Sequence, residues 1–178
     1  EACEDQLARA LYFFLYLTGA RINEATDFQR SRIEFFSSQF KIRLKTLKQR
    51  QPQYSYRYVY IPRGKKAKCF ENEMWEHVWK YIRGFELTEK PFKKWKNMSE
   101  YLARKISIQL EAIVNVGPKK WEERTLTKRF HPHLSRHFRA THLSQYYRWN
   151  VPRLCDFFGW RKPEMALIYV NLFESGFD

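Results

Sequence analysis

LTGARINEA, residues 17–25, ends one helix and begins another. Upstream, CEDQLARALYFFLYLTG (3–19) repeats apolar residues at helical spacing and closes on Gly19, which reads as a core helix with its stop signal. Downstream, RINEATDF (21–28) reads as a second short helix that would bury Ile22 and Ala25 while Arg21, Asn23 and Glu24 take other directions. Arg21 can therefore lean over a helix N-terminus, and its purpose there is the first question the chain poses.

Working outward, SRIEFFS (31–37), FKIRLKTL (40–47) and YSYRYVYIP (54–62) are rich in β-branched and aromatic residues, with turn chemistry in KQRQPQ (48–53). They predict a small antiparallel sheet. ENEMWEHVWKYIRGF (71–85) and MSEYLARKISIQLEAIVNVG (98–117) follow as helices, the latter stopped by Gly117 and Pro118. PHLSRHFRATHLSQYYRW (132–149), VPRLCDFFGW (151–160) and KPEMALIYVNLF (162–173) complete a helical second half. The expected fold class is mainly α with a small three-stranded antiparallel β-sheet.

Composition narrows the partner. In 178 residues, 44% hydrophobic and 18% aromatic content is enough for a packed core, so the chain is globular. Thirty-three Lys and Arg against nineteen Asp and Glu leave a net charge of +14, which suits a polyanion, nucleic acid first. No apolar run is long enough to span a bilayer, and no lipidation motif is present, so no membrane role is expected. Cys3, Cys69 and Cys155 are far apart and odd in number, which fits reduced thiols in a cytosol. The expected location is the cytoplasm of a prokaryotic cell or of the host of a virus or plasmid.

In HPHLSRHFRATHL (131–143), His133 and Arg136 are three apart and share a helix face, an arrangement that suits a phosphate. The plainer reading is a solvated basic helix face. His131, His133, His137 and His142 are dense enough to raise zinc, but H-E-x-x-H is absent and no cysteine stands at ligand spacing, so no metal is expected. Tyr169 lies nine residues after Trp160, past a turn at Gly159. Two guanidiniums, an imidazole, an indole N–H and a phenol are the parts that in-line attack on a phosphodiester requires. Neither guanidinium loses its charge at neutral pH.

The ordered set TGARINEA, KTL, HLSRH, FGW and IYVN resembles the catalytic domain of the tyrosine recombinases, the integrase family of phages, plasmids, bacteria and archaea. The resemblance covers nearly the whole chain. It implies the tyrosine recombinase catalytic-domain (DNA breaking-rejoining enzyme) fold, with catalytic residues Arg21, Lys45, His133, Arg136, Trp160 and Tyr169, supported by Glu24 and His137. It further implies double-stranded DNA as partner, a homotetramer on paired sites that is monomeric off DNA, and no cofactor. Two neighbours depart from the family pattern: Ser135 where Leu is common, and Arg139 at a place usually apolar. The family's N-terminal DNA-clamping domain has no counterpart ahead of these motifs, so residues 1–178 are expected to be a single catalytic domain.

The family lysine sits on a β-hairpin, where RLKTLKQR offers Lys45 and Lys48. Lys45 follows Arg21 by 24 residues and heads the KTL that some members share. If a strand runs from Phe40 to Leu47, Ile42, Leu44 and Thr46 face the helices while Lys41, Arg43 and Lys45 face DNA. Lys48 then lies on the other face or in the turn. Lys41, Arg43, Lys48, Arg50 and Arg139 are the expected phosphate contacts. A type IB topoisomerase uses a similar constellation to relax DNA, and a DNA-binding relic would keep the fold without the chemistry; Trp160 and the full set of competent residues favour a recombinase.

Overall fold

A computed structural model describes residues 6–46, 56–62, 69–96 and 132–171. Helix α1 (Gln6–Thr18) lies at the centre, packed against α3 (Cys69–Ile82) and α4 (Pro132–Gln145). Its apolar residues recur at three and four, so Ala8, Leu11, Leu15 and Thr18, together with Ala10, Phe14 and Leu17, are all buried. Phe14 packs against Phe28 and Phe92 at ring-centroid distances of 4.9 and 5.1 Å.

The sheet is β1 (Ile33–Phe35), β2 (Gln39–Lys45) and β3 (Tyr56–Pro62), antiparallel throughout and in that spatial order. Ile42 pairs with Val59, and Lys45 with Tyr56. Alternation sorts the faces of β2 as the sequence predicts, with Ile42 and Leu44 buried and Arg43 and Lys45 exposed, and β3 follows the same rule: Val59 and Ile61 are buried, Tyr56, Tyr58 and Tyr60 exposed. Phe40 seats on Trp75 of α3, 4.9 Å between centroids, which fixes the sheet to the helices.

Two further short helices, α5 (Val151–Phe158) and α6 (Glu164–Asn171), follow α4. Asn150 caps α5 by accepting from the Arg153 N–H at 3.1 Å, with Pro152 in the first turn where its missing N–H costs nothing. The sequence did not foresee two 3₁₀ turns, Arg30–Arg32 and Lys93–Lys96. The helix predicted over 98–117, the end of the predicted strand at Leu47, and Lys48, Arg50 and His131 lie outside the described residues.

Two glycines bring helix ends together. Gly19 follows α1 at φ 59°, and a Cβ there would lie 2.3 Å from the Phe158 ring. Gly159 ends α5 at φ 65°, close against Thr46 and Arg57. A left-handed turn without a side chain is needed at both places, so the carboxyl ends of α1 and α5 converge.

Candidate active site

At that convergence the helix-end carbonyls are taken by two arginines. Arg136, on α4, donates to Gly19 O at 2.5 Å and Phe158 O at 2.6 Å. Arg57, on the inward face of β3, donates to the neighbouring carbonyls, Thr18 O at 3.0 Å and Phe157 O at 2.6 Å. Carbonyls left over at helix ends need donors, and a cation there also complements the helix dipole.

Arg21 stands at the start of α2 (Ile22–Thr26), which answers the question its position raised. Its N–H donates to Glu24 Oε2 at 3.1 Å and its guanidinium to Glu24 Oε1 at 2.8 Å. Arg57 reaches the same carboxylate, Nη2 to Oε2, at 3.4 Å. Glu24 was expected to point away from the core; it is 1% exposed, because two guanidiniums cover it. Burial opposes its ionisation, but the charge of Arg57, the Arg21 N–H and the charges of Arg136 and Arg21 hold the carboxyl below its ordinary value.

Two guanidiniums thus pair with one carboxylate, and the charge of a third, Arg136, acts on it without a direct bond. Burial, and then the like charges of Arg57 and Arg21, push Arg136 down to about 9, so it stays cationic at neutral pH in a site with excess positive charge. The arrangement fits a phosphate, which would supply the missing negative charge and accept forked hydrogen bonds.

The phenol of Tyr169 adjoins this cluster. Phe158, Trp160 and Tyr169 form a stack, with centroids 4.5 and 5.5 Å apart, and the last two planes are within 6° of parallel. Arg136 lies over the first two rings, its Cζ 4.8 and 5.5 Å from their centroids. Ser144 Oγ donates to Tyr169 O at 2.9 Å and ties α6 to α4. Burial raises the Tyr169 pKa, partly offset by the Arg136 charge, so the phenol keeps its proton until a base takes it.

The imidazole against the Tyr169 hydroxyl is that of His137, through Nδ1. His133 was expected among the catalytic residues and His137 as a support; the hydrogen bond to the phenol falls to His137. His133 is exposed and meets His137 edge-on at 4.9 Å, one ring further from the phenol. Residues four apart on a helix are neighbours, and α4 turns the second histidine toward α6.

Arg139 is not a surface phosphate contact, contrary to expectation. It is buried, ion-paired with Glu71 of α3 and packed over the Tyr16 ring at 5.4 Å. Tyr147 donates to the same carboxylate at 2.5 Å. Glu71 supplies the countercharge that lets an arginine occupy a position usually apolar. Of the other expected contacts, Lys41 is bonded to Glu34 at 3.0 Å, and Arg43 stacks on Tyr56 at 5.1 Å. Lys45 ends β2 on the exposed face, and the next residue, Thr46, abuts Gly159. The hairpin therefore begins beside the cluster, with Lys45 on its rim.

Arg57 escaped the sequence reading, although its signal is present. In YRYVYIP it shares the inward parity of Val59 and Ile61, and an arginine on the buried face of a strand demands a partner.

The structure is similar to site-specific recombinases. XerH bound to palindromic difH substrate in a post-cleavage complex matches with a TM-score of 0.63 at 18% identity, over 97% of this chain and 45% of XerH. XerH in a pre-cleavage complex with difH substrate matches with 0.60 at 18% identity, over 99% of this chain and 48% of that one. XerA recombinase matches with 0.54 at 16% identity, over 94% and 58%. The chain spans about half the length of these recombinases. No curated protein sequence matches it. The sequence profile of the phage integrase family matches residues 1–175, and the chain belongs to that family. Among the described residues no helix is long and apolar enough to cross a membrane.

Proposed function

We propose that the chain cuts and rejoins double-stranded DNA in site-specific recombination, with Tyr169 as nucleophile. The observation that carries this reading is the Tyr169 hydroxyl held against His137 beside an arginine cluster with excess positive charge. Tyr169 Oη forms a bond to phosphorus and the bond to the 5′ oxygen breaks, leaving a 3′-phosphotyrosine and a 5′-hydroxyl strand. His137 is placed to accept the phenol proton, with His133 behind it. Arg21, Arg136 and the Trp160 N–H stabilise the charge on the non-bridging oxygens, and losing one such donor typically costs about 10²–10³ in rate. One ester replaces another, so the step balances without ATP, and a 5′-hydroxyl from a partner strand can reverse it. The guanidiniums supply the positive charge that a metal would otherwise bring.

The direct test is a nicked duplex from which the short fragment bearing the new 5′-hydroxyl diffuses away after cleavage. A protein–DNA band on a denaturing gel is expected, and its absence under conditions where the duplex binds overturns the reading. We assign assembly in the same way: monomers off DNA and a homotetramer on paired sites, to be read by sedimentation with and without DNA. A stable tetramer in free solution contradicts it.

With a +14 chain, affinity for duplex should come mainly from phosphate contacts. Log K is then expected to fall with log[salt] by about 0.9 for each phosphate neutralised. A flat response in an anisotropy titration rules out DNA as the partner.

Lys45, at the hairpin rim, is assigned the proton delivered to the leaving 5′ oxygen. Lys45→Ala should slow cleavage of an ordinary phosphodiester by about 10² or more. A 5′-bridging phosphorothiolate leaves as a thiolate that needs little protonation, so it should restore most of that loss and none of the loss in Arg21→Ala or Arg136→Ala. Rescue of Lys48→Ala in place of Lys45→Ala transfers the role to Lys48.

A further inference from the structure

We infer that the outer face of the sheet is a track for unpaired DNA, binding the bases of a single strand by stacking. Tyr56, Tyr58 and Tyr60, exposed to 43, 45 and 50%, form one column along β3, an edge strand among the described residues. Lys45, Arg43 and Lys41 form a parallel column on β2, each directly opposite one tyrosine. The two columns are already engaged: Lys41 Nζ lies 4.7 Å over the Tyr58 ring and Arg43 Cζ 5.1 Å over the Tyr56 ring. Beyond the tyrosines runs a groove of about 710 Å³ whose far wall includes Trp160, Arg161 and Asp156. Lys41, Arg43, Lys45 and Arg161 outnumber the two carboxylates here, Asp156 and the Glu34 that pairs with Lys41, which favours a polyanion.

Aromatic rings beside a basic stripe on an open sheet are the elements that hold single-stranded nucleic acid without regard to sequence. A duplex cannot use them, since its bases are paired inside and it offers only phosphates. Same-face residues on a strand recur every ~6.8 Å, about twice the ~3.4 Å rise per nucleotide of a duplex strand. The rings therefore suit a strand that has left its complement and stretched.

The location gives the track an occupant, and this step rests on the recombination reading. Cleavage by Tyr169 frees a 5′-hydroxyl strand at Lys45, the first cation of the column, and Thr46 after it touches Gly159 of the catalytic cluster. The freed strand must unpair before it can attack a partner site. Stacking on Tyr56, Tyr58 and Tyr60 would stabilise those unpaired nucleotides on the way.

The test compares affinity for a short single-stranded oligothymidylate with affinity for duplex of equal length, in the parent chain and in two triple variants. Changing Tyr56, Tyr58 and Tyr60 together to Ala should lower the single-strand-to-duplex affinity ratio by about fivefold or more per ring engaged, on the order of a hundredfold in all. Changing all three to Phe should leave that ratio near the parent value, because the π face remains. An unmoved ratio in the Ala variant, or an equal fall in the Phe variant, overturns the track. A second measurement needs no variant: a single strand carrying iodouracil, irradiated with the parent chain, should crosslink to the peptide holding residues 56–60. Crosslinks only elsewhere, or no single-strand binding, also overturn it. Neither measurement needs cleavage by Tyr169, so both fail separately from the covalent-adduct assay on which the recombination reading depends.

Discussion

The Tyr169→Phe chain is expected to form no covalent adduct on the nicked duplex while binding it within about twofold of the parent, since most affinity for DNA resides in phosphate contacts. The substitution removes one oxygen. The ring still stacks on Trp160, and the Ser144 bond to the residue-169 carbonyl is unaffected, so α6 stays docked. On the proposed reading the lost group is the nucleophile, and no neighbouring donor or clamp replaces it. Adduct formation on denaturing gels and anisotropy on the same duplex give the two readings. An undiminished adduct would assign the nucleophile to another residue.

Arg57→Met should have the largest effect on stability. Arg57 is buried and supports Thr18 O, Phe157 O and the Glu24 carboxylate at once. Methionine fills the space but donates nothing, so two helix-end carbonyls lose a donor and Glu24 loses a charge partner. Removing one member of such a buried pair costs about 3–5 kcal/mol. For a chain of this length that lowers Tm by on the order of 10 °C. The sign with pH follows from Glu24. Its carboxyl is depressed in the folded chain, so its stabilisation is complete above the unfolded carboxylate range and lost as pH falls through the folded value. Parent and variant melting curves should therefore approach one another in acid. A Tm within about 2 °C of the parent at neutral pH would show that water replaces the guanidinium without loss.

The elements were largely legible because their periods are clean. FKIRLK alternates without interruption, so its faces as well as its extent could be read, YRYVYIP was legible as a strand, and α1 carries apolar residues at three and four. Arg21, Trp160 and Tyr169 could be picked out from their order along the chain. What could not be read was which polar groups the fold buries together. Arg139 and Arg57 look like ordinary surface cations of a basic protein until Glu71 and Glu24, distant in sequence, are set against them. The choice between His133 and His137 likewise depended on how α6 docks on α4, a tertiary contact that helical spacing does not encode.

The uneven count of charges around Glu24 ties ligand to fold. Arg21, Arg57 and Arg136 repel one another around a single carboxylate, and the chain keeps its shape against that load. Anything that brings negative charge between them relieves the repulsion, and by linkage its binding free energy is added to the stability of the folded state.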